Sequence, residues 1–332
     1  MESRNPIEFY LTQKEENTMI PVFFTIDNSY APFLAVALHS AVQNASADRH
    51  YKAIILHQDV SEENRRRISN LAKPNFEIEF VPMQSGLESI TDRMSNRLRC
   101  DYFTLTIYFR LFIPAMFPEF DKAIYIDSDV VIPGDLAQLY DTDLGDNYIA
   151  ACPDRSIEDV EPLVRYTMEA VGMEKGKYIN SGVLLMNLKA LREKNFDKHF
   201  LNLLNTYHLD CIAPDQDYLN ALCHGKIHYL PECWDAMPND NKPALKDAKI
   251  IHYNLFSKPW CYDGIQYGEE FWRYAEGSGY LADAKAYKDS YSQEQKESDS
   301  KCMDLLVQRG AEIAASEITF RKLQESGVKI RL

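Results

Sequence analysis

From Ile20 onward the chain alternates short β-type runs with helical patterns, and this alternation restricts the fold more than any other feature. "IPVFFTI" is followed by "YAPFLAVALHSAVQN", whose apolar residues recur three and four apart, and then by "YKAIILH". "SEENRRRISNLAK" comes next, with Ser61 placed as an N-cap and acids in its first turn, before the alternating strand "FEIEFVP". Strand, helix, strand, helix, strand predicts an α/β protein whose mostly parallel central sheet carries helices on both faces. Ligands of such sheets gather beyond the carboxyl ends of the strands.

The pattern continues with a helix expected at 104–113, a strand at 122–127, the strand "NYIAAC" and a helix near 158–171. The strand "GVLLMNL" then runs into a long helix expected to reach about residue 206, followed by the short strands "KIHYL" and "AKIIHY". Past about residue 265 the chain turns helical and polar, and "KDSYSQEQKESDSK" reads as a solvated helix or linker. The organisation expected is an N-terminal extension over 1–19, one large domain over 20–265 and a helical C-terminal tail over 266–332. Neither G-x-G-x-x-G nor a Walker A sequence is present, which removes the main support for dinucleotide and P-loop readings.

A formal charge of -14 argues against a polyanion-binding surface, so nucleic acid is set aside as a partner. Seven cysteines, widely spaced and without a C-x-x-C, fit neither a disulfide framework nor a structural zinc site, and point to a reducing cytoplasm. The polar start "MESRNPIEFYLTQKEENTM" has no apolar core of a signal peptide, and no stretch reaches the roughly 18 uninterrupted apolar residues of a membrane span. The ending "FRKLQESGVKIRL" is mildly basic and amphipathic, which suits either a packing helix or peripheral contact with the inner face of a membrane.

Chemistry concentrates in "AIYIDSDVVI", where a buried-type strand ends in Asp127 and Asp129. Side chains at i and i+2 of an extended segment share a side, so the two carboxylates face one point about 6 to 7 Å apart along the backbone. Their repulsion is relieved by a hard divalent cation such as Mg²⁺ or Mn²⁺. Asp141-Thr142-Asp143 and Asp215-Gln216-Asp217 repeat the triplet without such a strand before them, and turn or helix-cap roles compete for all three. His252, after the strand "AKII", could complete a metal site, and Lys258 could meet a phosphate; each is equally at home as a structural histidine or a surface lysine.

"VFFTIDNSYAPFLAVALHS", "TIYFRLFIP", "AIYIDSDVVIPGDLAQLYDTDLGDNYIAAC", "YINSGVLLMNL", "PDQDYLNAL" and "IIHYNLFSKPW", in this order and spacing, resemble the family 8 glycosyltransferases. The resemblance runs from about Ile20 to about Trp260. It implies a retaining, metal-dependent hexosyltransferase of glycosyltransferase A-type fold, taking UDP-glucose or UDP-galactose as donor and a glycan, glycolipid or glycoprotein as acceptor. Asp127, Ser128 and Asp129 match the family's D-x-D, His252 its third ligand to Mn²⁺ or Mg²⁺, and Lys258 the lysine at the diphosphate. Asp27 matches the residue that reads the uracil edge, with Thr25 beside the base and Tyr30 where an aromatic packs. Arg110 falls near the donor sugar, Asn180, Asp215 and Gln216 around the sugar and its anomeric carbon, and Asp154 where the acceptor side begins.

Two positions depart from the family pattern. Leu255 stands three residues after the histidine, where a glycine is common, and Ser29 where asparagine is common. For retention, the expectation is same-face departure and attack, with Gln216 and Asp215 shaping the cationic sugar, because an amide is a poor nucleophile. Two rivals share some of the evidence. A D-x-D phosphohydrolase would accept "DSDVV", but three β-type runs precede the motif and no Asp-Asp dipeptide follows; a non-catalytic UDP-sugar-binding protein would use the same fold.

Overall fold

The structure, a computed structural model, describes residues 19–83 and 105–332. The start of the N-terminal extension, Cys100 and the first residue of the helix expected from 104 lie outside them.

The chain opens with strand β1 (Ile20–Ile26), helix α1 (Ala31–Asn44), β2 (Tyr51–His57), α2 (Glu62–Ser69) and β3 (Phe76–Pro82). Ser61 caps α2 by accepting from the Asn64 amide, as its position predicts. Then come α3 (Phe109–Met116), β4 (Ala123–Ile126), β5 (Val130–Val131), α4 (Leu136–Tyr140), β6 (Ile149–Ala151) and α5 (Glu161–Tyr166). The expected helix near 158–171 is α5 continued as a wider π-type turn over Thr167–Val171, ended by Gly172 at φ 87°.

β7 (Val183–Met186) is followed by two helices rather than one long one. Asn195 sits at φ 53°, a left-handed conformation that asparagine tolerates, and divides α6 (Leu188–Glu193) from α7 (Phe196–Tyr207). After α8 (Pro214–Leu222), β8 (Ile227–Tyr229) and β9 (Ile251–His252), the polar end forms α9 (Gly268–Ala275), α10 (Leu281–Ser290), α11 (Gln293–Ala315) and α12 (Phe320–Glu325). "KDSYSQEQKESDSK" is therefore not a linker: Ser292 starts α11 with a capping box closed by Gln295.

The main sheet has the order β3-β2-β1-β4-β7-β6-β8. It is mostly parallel as expected, except that β7 runs antiparallel to β4 and β6. Both faces of β1, β2, β4, β6 and β7 are buried, which is why these strands read as continuous apolar runs, whereas the edge strand β3 alternates. Phe23, Ile54, Tyr125 and Leu184 pack into one core, and the alternating Val22, Phe24, Ile55, Ile124 and Val183 into the other. β9 leaves this sheet and pairs with β5, setting Val130 against His252. The C-terminal end packs inward: Phe320 and Ile330 join the first core, and the Leu332 amide donates to the Leu222 carbonyl at 3.0 Å. Among the described residues no helix is long and apolar enough to cross a membrane.

Candidate active site

Topology gathers the site. β1 and β4 are parallel neighbours, so Asp27 and Asp127, which follow them, emerge at one edge. Because β7 is antiparallel, its start reaches that same edge, where the Gly182 carbonyl accepts from the Asp127 amide at 2.7 Å. The β5–β9 pair folds His252 back over the carboxylates.

Asp127, Asp129 and His252 each offer a ligand atom, and these atoms all lie within 4.8 Å of one another. His252 Nε2 is 3.3 Å from Asp129 Oδ1 and 4.0 Å from Asp127 Oδ2, and Lys258 Nζ is 2.5 Å from Asp129 Oδ2. Burial pushes the Asp129 carboxyl up, but Lys258 and His252 together hold it well below its ordinary value. Burial likewise opposes charge on His252, and Asp129 and Asp235 outweigh it, raising the imidazole to about 10.

Two features let these side chains converge on one point. A Cβ added at Gly182 would lie 2.3 Å from His252 Cε1 and 2.8 Å from Asp127 Oδ2, so only glycine lets these side chains converge. Asp235, fully buried, accepts from His252 Nδ1 at 3.0 Å and leaves Nε2 facing the two carboxylates. This is the outer partner that metal-binding histidines ordinarily have. Two carboxylates and an imidazole are a donor set that fits Mn²⁺ or Mg²⁺.

Beside the cluster, Arg110 is buried and spans its neighbours. Its guanidinium is 2.8 Å from Asp127 Oδ1 and 3.2 Å from Asp215 Oδ2, and it donates to the Ser181 carbonyl at 2.7 Å. It lies 4.3 Å over the Tyr125 ring, whose hydroxyl donates to Asp127 Oδ1 at 2.8 Å and meets Thr25 Oγ1 at the same distance. Ser128 Oγ donates to the Thr25 carbonyl at 3.2 Å. Burial disfavours the Arg110 charge, and Asp127 and Asp215 more than restore it.

A second buried network joins this one through Ser181. Its hydroxyl donates to Asp215 Oδ2 at 2.9 Å, and its amide to Gln216 Oε1 at 3.0 Å. Gln216 Nε2 and Asn180 Nδ2 both donate to Asp154 Oδ2, at 2.8 and 3.3 Å. Arg110, Asp154, Asn180, Asp215 and Gln216, far apart in sequence, are thus one connected set.

Asp27 caps the turn Asn28–Tyr30, with Oδ1 accepting from the Ser29 amide and hydroxyl and the Tyr30 amide. Asp27 is thus a turn residue and also lies on the wall of a cleft of about 490 Å³ that runs to Asp127, Asp129 and Lys258. Leu255, where the family resemblance leads one to expect glycine, has φ 54°, in the left-handed region that glycine adopts freely and that costs an L-residue about 1–2 kcal/mol.

The residues the sequence reading left out are Tyr125, Ser181, Gly182 and Asp235. Tyr125 shares a strand face with Asp127 and could have been found by that spacing. Asp235 carries no signal, because only the pairing of β9 brings it under His252.

A mostly parallel sheet with an Asp-x-Asp and histidine cluster at its carboxyl edge is the arrangement of a glycosyltransferase of the A-type fold. The chain belongs to glycosyl transferase family 8, whose family model matches residues 21–264. A Haemophilus influenzae relative is 31% identical over 232 residues, covering 69% of this chain and 67% of its own length. The lipopolysaccharide 1,2-glucosyltransferase of Escherichia coli K12 is 25% identical over 282 residues, 78% of this chain and 79% of the other. Among solved structures, the galactosyltransferase LgtC in complex with donor and acceptor sugar analogs aligns with a TM-score of 0.65 and 28% identity, covering 78% of this chain and 96% of that one. The bifunctional glycosyltransferase WbbM aligns at 0.71 with 24% identity, covering 82% of this chain and 52% of that one, which speaks to the fold.

Proposed function

We propose that this glycosyltransferase moves a hexose, glucose or galactose, from a UDP-sugar to a glycan, glycolipid or glycoprotein acceptor, with retention of configuration. The observation that carries this reading is the convergence of Asp127, Asp129 and His252 within 4.8 Å at one end of the cleft. Asp27, Thr25 and Tyr30 take the nucleoside end, and Asp154 begins the acceptor side. The domain plan of 1–19, 20–265 and 266–332 belongs to the proposal, supported by the family match over 21–264. A cytoplasmic location is likewise proposed from the cysteine pattern, and the packing of Phe320 and Ile330 into the core supports a packing helix rather than membrane contact for the amphipathic ending.

Asp127, Asp129 and His252 would hold Mn²⁺ or Mg²⁺, which supplies a Lewis acid where charge grows on the departing diphosphate. Lys258, fixed by Asp129 and by the Tyr253 carbonyl at 2.8 Å, adds a positive charge there without reorganising. Arg110 holds Asp127 and Asp215 in place, and the Gln216 amide, anchored on Ser181 and Asp154, borders the sugar. Asp215 accepts from Arg110 and Ser181 through one oxygen, Oδ2, and these two contacts draw charge from its carboxylate and weaken it as a nucleophile. This supports same-face transfer, in which the acceptor hydroxyl gives its proton to the leaving phosphate oxygen. Retained stereochemistry in Gln216→Ala agrees with that path; a sugar ester trapped on Asp215 overturns it.

The test is a thermal-shift and turnover panel with UDP, UDP-glucose, UDP-galactose and UDP-N-acetylglucosamine, each with and without Mn²⁺. Metal-dependent stabilisation by UDP with turnover of one hexose donor is expected. Binding of UDP without hydrolysis or transfer would make the chain a sugar-nucleotide-binding protein, and no binding would remove the reading.

A further inference from the structure

One wall of the cleft lies beyond the residues that the family model matches, which end at 264. Tyr287 of α10, Tyr291 at its carboxyl end and Asp299 of α11 line the cleft together with Tyr30, Lys258 and Trp260. These tail residues are firmly placed. The Tyr291 and Tyr262 hydroxyls both donate to Asp299 Oδ2 at 2.6 Å, joining α11 to the loop after Trp260. Arg67 of α2 meets Asp283 at 2.8 Å and also donates to the Gly279 carbonyl, which clamps the start of α10 to the sheet domain.

The aromatic arrangement sets the ring of Tyr287. Buried Phe33 stacks on Trp260 at 4.2 Å between centroids, and both Tyr30, at 5.4 Å, and Tyr287, at 5.3 Å, stand edge-on to that same Phe33 ring. Tyr287 also lies nearly parallel to Tyr291, with 25° between planes and 5.9 Å between centroids. Tyr287 is nevertheless 40% exposed on the cleft side of the molecule. A rigidly held aromatic ring that lines a cleft, beside Tyr30 on the shared Phe33 ring, suits a planar ring with a polar rim.

We propose that Tyr287, supplied by the C-terminal tail, is a specificity-determining contact for the planar base of the donor nucleotide and closes the base end of the cleft together with the Asp27–Tyr30 turn. The inference rests on the reading of this cleft as the UDP-sugar site. It makes the tail part of the donor site rather than a passive appendage.

Calorimetric titrations of the full chain with UDP and with inorganic pyrophosphate, each in Mg²⁺, test it. Tyr287→Ala is expected to weaken UDP about tenfold, the loss typical of a stacked base deprived of its aromatic partner, and to leave pyrophosphate unchanged. Tyr287→Phe should bind UDP like the unaltered chain, because the ring and not the hydroxyl makes the contact. Should Tyr287→Ala fail to fold, Tyr287→Leu keeps bulk against Phe33 without the aromatic face and serves in its place. Equal loss for UDP and pyrophosphate, or unchanged UDP affinity, overturns the inference while leaving the cleft a nucleotide site. An unaltered chain that binds neither ligand overturns the functional reading itself and this inference with it.

Discussion

Gly182 shows how finely the residue scale sets this site. Added methyl atoms would fall 2.3 Å from His252 Cε1 and 2.8 Å from Asp127 Oδ2, so Gly182→Ala must push one of these side chains aside. Mn²⁺ affinity, read by calorimetry or by electron paramagnetic resonance, is expected to fall about 10- to 100-fold, the range for disturbing the surroundings of metal ligands. Asp235 acts on the same histidine from behind, and one of its oxygens, Oδ2, makes no hydrogen bond. Asp235→Asn can still accept from Nδ1 but loses the charge, so a fall in Mn²⁺ affinity of about tenfold is expected. An unchanged affinity would show that packing alone orients His252. Leu255 illustrates a different compromise, in which a side chain is carried at φ 54°, in the region that glycine adopts freely.

Among elements, β7 has the largest influence on the chemistry. Its antiparallel direction places Asn180, Ser181 and Gly182 at the carboxyl edge of β4, and through Ser181 it links Arg110 to Asp215 and Gln216. A run such as "GVLLMNL" is equally apolar in either direction, which is why direction was not legible from it. The break at Asn195 lies where the apolar spacing lengthens to five, from Leu191 to Phe196, and the left-handed Asn195 there divides α6 from α7. α11 has a start that the sequence does announce, with Ser292 and Gln295 closing a capping box. Ser292→Ala is expected to cost about 1 kcal/mol in urea unfolding. A change indistinguishable from zero would show that the hold of Tyr262 and Tyr291 on Asp299, not the cap, fixes where the helix begins.

For the whole molecule, linkage gives two measurable consequences. A ligand that binds only the folded chain stabilises it by about 2.7 kcal/mol at a hundredfold excess over its dissociation constant. Mn²⁺ with UDP should therefore raise the melting temperature by several degrees, and a chelator should abolish most of that rise; insensitivity to the chelator would argue against a metal between Asp127, Asp129 and His252. The second consequence concerns acid. His57 ends β2 with Nδ1 accepting from the Val60 amide at 3.3 Å and Nε2 buried without a hydrogen-bond partner among the described residues, and burial lowers its pKa from the ordinary 6.5. The unfolded chain then takes up the proton first as pH falls. Stability from this group is complete above the ordinary value and is lost as pH drops through it. As pH falls from 7.5 to 5.5 the unaltered chain should lose melting temperature relative to His57→Gln, a comparison that cancels the opposite contribution of His252, whose raised pKa adds stability as pH falls toward 6.5.

The amino-acid sequence determined the succession of strands and helices, the burial of both sheet faces and the strand-end position of Asp127 and Asp129, because apolar period and capping chemistry are local properties of a chain. The ordered motifs also sufficed to indicate the family. Tertiary structure alone decided that β7 runs against its neighbours, that Asp235 stands behind His252, that Gly182 leaves room for two ligands and that Tyr287 of the tail reaches the cleft. These are relations between residues separated by many positions, and they arise from how the sheet pairs and the helices pack, which no local pattern records.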